Sequence, residues 1–131
     1  MRKTSSILTL LLSTAAVGGL ATACHRAPAT ELSPNATTMV KVVNNNYSDI
    51  DVFAEGTGGA RLRLGTVTGQ SSATFTLPPN YVAFGNIRLA GVPIGGFGSA
   101  RSGRLQIAAG ETVVFTVQPD LALSSATVEQ P

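Results

Sequence analysis

Residues 71–77 read Ser71-Ser72-Ala73-Thr74-Phe75-Thr76-Leu77, with apolar groups at every second place from Ala73 onward. A segment of that period has one face to bury and one to wet, which an extended strand provides and a helix does not. The same period recurs on either side. Ile50, Val52 and Ala54 alternate with Asp49, Asp51 and Phe53, and Leu62 and Leu64 with Arg61 and Arg63. Leu105 and Ile107 alternate with Arg104 and Gln106, and Val113, Phe115 and Val117 with Thr112, Thr116 and Gln118. Turn-forming clusters separate these runs at Asn44–Asn46, Gly56–Gly59, Thr68-Gly69, Pro78–Asn80, Ala90-Gly91, Gly95–Gly98 and Ala109-Gly110. From Met39 onward no ten-residue stretch keeps a helical stripe free of Gly and Pro.

The spacing predicts strands over 39–44, 49–55, 60–67, 71–77, 82–89, 103–108 and 111–118, with 121–128 as a further edge strand. The fold class expected is all-β, a small antiparallel β-sandwich of about seven short strands, with a small β-barrel as the alternative. Pairing 50–54 with 60–64 around Gly56–Gly58 would set Val52 against Leu62, Ile50 against Leu64 and Asp51 against Arg63. The strand Val40-Lys41-Val42-Val43-Asn44, the run RLRLGTV at 61–67 and AAGETVVFTV at 108–117 resemble the immunoglobulin- or transthyretin-like modules of bacterial envelopes. That resemblance is architectural and carries no functional residues with it.

The first residues read as targeting rather than fold. Arg2 and Lys3 precede an apolar stretch from Ile7 to Leu20, and the small residues Ala21-Thr22-Ala23 follow. This is the order of a cleavable export signal over residues 1–23, with cleavage after Ala23. Leu20-Ala21-Thr22-Ala23-Cys24 resembles the lipobox of bacterial lipoproteins. The resemblance implies that Cys24 is acylated, becomes the first mature residue and holds the chain to the envelope membrane. His25 in the following place implies outer-membrane sorting in a host that has one. Ala21-Thr22-Ala23 equally satisfies ordinary signal peptidase, which would leave a free thiol on a secreted or periplasmic soluble chain. Residues 24–38 then form the lipidated Cys and a flexible tether, too polar and Pro-rich to build a core, and 39–131 form the β domain.

Composition narrows the chemistry. The 131 residues hold nine Lys/Arg and seven Asp/Glu; loss of Arg2 and Lys3 with the signal leaves the charges balanced. A neutral domain has no overall electrostatic footprint for nucleic acid or anionic lipid. The only histidine, His25, and the only cysteine, Cys24, lie outside the domain, which removes His- and Cys-based catalytic sites and zinc sites from it.

The remaining candidates each have an ordinary structural explanation. Asp49 and Asp51 could act as a paired carboxylate site for hydrolysis, or be solvated charges facing Arg63. Asn44, Asn46, Ser48 and Glu55 match places 1, 3, 5 and 12 of a calcium loop but lack its Asp and Gly. Gly95–Ser99 has the glycines of a phosphate loop without its lysine or helix. Arg88, Arg101 and Arg104 could gather near that loop and bind an anion. Tyr47, Tyr81 and Phe97 are the candidates for stacking on sugar rings. The expectation is a non-enzymatic, membrane-anchored interaction or structural module. Its partners would be the membrane, through its lipid, and an envelope protein, through a strand edge. No nucleic acid and no cofactor beyond the lipid are expected. The alternatives are a small-ligand or metal binder and an envelope hydrolase using Asp49 and Asp51.

Overall fold

The computed structural model describes residues 36–131, so the signal segment, Cys24 and most of the tether lie outside the described residues. Within them the period-two pattern forms strands. Val40 and Val42 are buried with Lys41 exposed between them, and Val113, Phe115 and Val117 are fully buried on a neighbouring strand. The strands are β1 (Thr38–Asn44), β2 (Ile50–Glu55), β3 (Arg61–Val67), β4 (Ser71–Leu77), β5 (Asn86–Pro93), β6 (Ala100–Gln106), β7 (Thr112–Val117) and β8 (Ser125–Glu129). A short helix, α1 (Pro79–Val82), precedes β5.

They build two four-stranded sheets, ordered β4-β1-β7-β8 and β3-β2-β5-β6. Each sheet keeps two free edges, so the architecture is a sandwich and not the barrel alternative. The core lies between them: Val40, Val42, Val113, Phe115 and Val117 from one sheet meet Ile50, Val52, Ala54, Ile87 and Leu89 from the other. The tail supplies the expected edge strand, β8, paired to β7.

Four expectations are corrected. The pairing is not wholly antiparallel, because β1 and β7 run parallel from Met39↔Thr112 to Asn44↔Val117. Successive strands reverse direction, so any two odd-numbered strands point the same way, and these two are neighbours. Second, β5 starts at Asn86 and runs through Ala90-Gly91 rather than stopping before them. Pro79 at its first turn favours α1 instead, and Gly91 is a packing residue: a Cβ there would lie 2.9 Å from Ile50 Cγ2. Third, β6 begins at Ala100 rather than 103. Fourth, the β2–β3 register pairs Ile50 with Val67, Asp51 with Thr66 and Phe53 with Arg63, with a shift between Val52 and Phe53. Neither Val52–Leu62, Ile50–Leu64 nor Asp51–Arg63 is a direct pair.

The Asn-rich turn is a structural clamp. Asn44, 1% exposed at the end of β1, donates from Nδ2 toward the carbonyls of Ser48, Val67 and Thr68 at 2.9, 3.2 and 3.1 Å. Its Oδ1 accepts from the Asn46 amide at 3.0 Å, and Asn46 Oδ1 accepts from Ser48 N. One side chain thus joins the crossing from β1 to β2 with the crossing from β3 to β4. Buried carbonyls left without a donor cost about 1–3 kcal/mol each. Asn44→Ala is expected to lower stability by about 2–4 kcal/mol in urea unfolding. Asn44→Asp, which turns an acceptor toward three carbonyls, is expected to lower it further.

Candidate functional site

The outer face of the β3-β2-β5-β6 sheet collects charge in rows set by the strand register. Across one row stand Arg61, Glu55, Arg88 and Arg104, and across the next Arg63, Phe53, Ala90 and Arg101. Thr66, Asp51 and Val92 begin a third. Every arginine from residue 36 onward is on this face, with only Asp51 and Glu55 as acids.

Two irregularities make that possible. Residues three apart on a regular strand face opposite ways, yet Arg63 and Thr66 share the face, as do Arg101 and Arg104. On β3 the register shift leaves Leu64 as an extra residue. On β6 another shift falls between the pairs Arg88↔Arg104 and Ala90↔Arg101. There Gly103 adopts φ 72°, a backbone angle that glycine takes without a Cβ penalty. The interrupted ladder is repaired by a side chain: Leu89 N donates to Ser102 Oγ at 2.8 Å, and Ser102 Oγ donates to the Gly103 carbonyl at 2.8 Å.

The charges divide into paired and unpaired groups. Arg63 Nη2 donates to Asp51 Oδ1 at 2.7 Å and to Thr66 Oγ1 at 2.7 Å, while Thr66 Oγ1 donates to the same Asp51 oxygen at 2.6 Å. The hydrogen bonds from Arg63 and then Thr66 hold the Asp51 carboxyl below the usual aspartate range, and Asp51 raises Arg63 in turn. Glu55 is shared, with Arg61 Nε at 3.8 Å and Arg101 Nη1 at 3.5 Å. The Arg61 guanidinium also lies 3.9 Å from the centre of the Phe53 ring, a cation–π contact. Arg88 and Arg104, directly opposite each other, have no carboxylate within 4.0 Å among the described residues. Together with Glu55, Arg61, Asn86 and the Gly56–Gly59 turn they line a recess of about 530 Å³.

The other candidates do not converge on this recess. Asp49 accepts from Gly69 N at 3.0 Å and fastens a turn. It does not share a cleft with Asp51, whose lowered pKa is opposite to what a general acid needs. Asn44 and Glu55 stand at opposite ends of the sandwich, so the calcium-loop set does not assemble. Gly95–Ser99 leads into strand β6 rather than a helix. Arg88 and Arg104 lie at the other end of the β5–β6 hairpin from that loop, against the Gly56–Gly59 turn instead. Tyr81 is buried edge-on to Phe84, whereas Tyr47 and Phe97 are exposed on separate loops. Arg61 was not separable from ordinary surface arginines in the sequence, because its grouping with Arg88 and Arg104 depends on cross-strand register.

No protein-family model matches the chain, and no curated protein matches it. Among solved structures it is similar to a protein from Eubacterium rectale determined by NMR, at 14% identity and a TM-score of 0.48, covering 76% of this chain and 94% of that one. It is also similar to the solution structure of the CBM25-1 of the beta/alpha-amylase from Paenibacillus polymyxa, at 11% identity and a TM-score of 0.40, covering 73% and 92%. At these values neither assigns an activity or a ligand.

The Asp51–Arg63–Thr66 cluster has a defined acid response. A carboxylate with a lowered folded pKa adds stability above its unfolded pKa of about 3.9, and loses it as pH falls through the folded value. Wild type should therefore exceed Asp51→Asn by a small, constant margin at pH 5–8, since solvent screens so exposed a pair. Below about pH 4 the margin should shrink. Urea unfolding at a series of pH values measures it, and a margin that grows on acidification would contradict the assignment.

Proposed function

We propose that this chain is an exported, non-enzymatic module, held to the envelope membrane by acyl chains on Cys24, that binds through the outer face of its β3-β2-β5-β6 sheet. The observation that carries the binding reading is the placement of all five arginines of the domain on one face while its overall charge balances. Two unregistered residues were accommodated to bring Arg101 and Arg104, and Arg63 and Thr66, to that side. The anchor reading is supported by the order of charge, apolar run, small residues and cysteine at the start of the sequence. Several acyl chains give the stable attachment that one chain does not.

Contact with an envelope protein through a strand edge fits the other sheet. Bulges blunt an edge, and both edges of the arginine-bearing sheet, β3 and β6, carry one. The registers of β4 with β1 and of β8 with β7 run without a shift. Those two strands offer regular backbone to a partner strand.

Intact mass of the protein purified from membranes of its own host, beside Cys24→Ala, tests the anchor. The expected result is a mature chain that begins with acylated Cys24, and loss of membrane retention in the variant. A processed chain with an unmodified thiol would overturn it and leave a soluble exported module.

A further inference from the structure

The arginine face has an end, and the tether enters there. Thr38 Oγ1, at the start of β1, donates to the Ala108 carbonyl at 3.1 Å and accepts from Gly110 N at 3.1 Å. Ile107 N donates to the Gly85 carbonyl at 3.0 Å. The start of β1, the end of β6 and the start of β5 therefore share one end of the sandwich. The β2–β3 turn is there too, because Glu55 pairs with Arg88 near the start of β5. The recess lined by Arg61, Arg88, Arg104 and Asn86 is thus on the side from which the chain leads back to Cys24.

Its charge is unsatisfied. Like charges placed directly across a strand pair oppose each other, and Arg88 stands directly opposite Arg104. The one carboxylate in its lining among the described residues, Glu55, is already divided between Arg61 and Arg101, which leaves the arginines in excess. Guanidinium groups are forked donors that fit a tetrahedral oxyanion bidentately. The recess is roomy enough for a phosphate and part of what bears it.

We propose that this recess binds phosphate groups, and that those phosphates belong to the headgroups of anionic phospholipids beneath the tether. The inference rests on reading the chain as membrane-tethered. Position favours a lipid over a solute: an arginine site for a solute needs no particular end of the domain, whereas the end nearest the start of β1 reaches an anchoring membrane with the least extension of the chain. Bound this way, the domain would lie with its Gly56–Gly59 turn toward the bilayer instead of tumbling on its tether.

The test uses the processed chain with Cys24→Ser, which has no acyl group, and vesicles of phosphatidylcholine with or without one quarter phosphatidylglycerol. Cosedimentation should occur on the phosphatidylglycerol vesicles and weaken with added salt. Arg88→Gln and Arg104→Gln should each lower partitioning roughly fivefold, the effect of one basic residue near an anionic surface. Lys41→Gln, on the opposite sheet and outside the recess, should lower it less than either recess variant. Arg104 is exposed on an edge strand, so Arg104→Gln alone carries the test if the other variant fails to fold. Equal binding to both vesicle types, or binding that ignores Arg88 and Arg104, would overturn the proposal. So would a response to glycerol phosphate in solution without vesicle binding. An unmodified Cys24 in the host protein would overturn the anchor and would leave these vesicle results unchanged, so the two failures are distinguishable.

Discussion

Asn44 offers two N–H groups to three carbonyls at the point where the chain leaves one sheet for the other. Through Val67 and Thr68 it fixes the end of β3, just as the Gly56 amide on the Ala60 carbonyl, at 2.8 Å, closes the opposite end of the same hairpin. Between these fixed ends β2 has six residues and β3 has seven. The surplus residue has to be absorbed, and it is absorbed at Leu64. Arg63 and Thr66 thereby come to one face, where both reach Asp51. A polar side chain buried at one end of the sandwich thus determines which charges meet in the middle of a sheet.

This explains how a domain of balanced charge acquires a basic face. Net charge counts residues, and says nothing of where they go. From residue 36 onward the acids are Asp49, Asp51, Glu55, Glu111, Asp120 and Glu129. Only two of them face the arginines. Glu111 is instead buried, accepting from the Ala108 amide at 2.7 Å, and Asp120 accepts from Ala122 N in the turn before β8. Acids used as turn and end fasteners leave the sheet surface to arginine. Balanced charge removes the field at a distance, while the potential at contact is set by the local arginines.

The strand pattern was legible because burial imposes period two, and the segments at 39–44, 49–55, 60–67, 71–77 and 111–118 were placed from it to within a residue or so of their observed ends. What was hidden has a physical cause in each case. Gly91 looks like punctuation in a sequence, but here it clears space for Ile50 and the facing sheet. The parallel β1–β7 pair follows from which strands become neighbours, a long-range fact with no local signal. Both bulges hide for the same reason: a one-residue surplus is visible only against a partner. The Asp51–Arg63 contact was anticipated through a wrong register and is made diagonally through the bulge. Arg88 opposite Arg104 needed the β5–β6 pairing, and so the recess they line had no signature in either strand alone.

The two ends of the sandwich differ in chemistry, and that difference bears on orientation. At the end away from the start of β1, Tyr47, Ile94, Phe97 and Leu123 are exposed on the loops that follow β1, β5 and β7. The Ile94 amide on the Asp49 carbonyl ties two of those loops together. At the other end, three arginines, Glu55, Asn86 and the Gly56–Gly59 turn line the recess, and among the described residues Phe84 is the one exposed large apolar side chain beside it. Strands of six or seven residues separate these ends by roughly 20 Å, so one flat surface cannot engage both. The choice falls to the interaction energies at the two ends. Under the anchoring proposed above, unpaired arginines would gain by meeting phosphate, and that contact would direct the apolar loop tips away from the membrane.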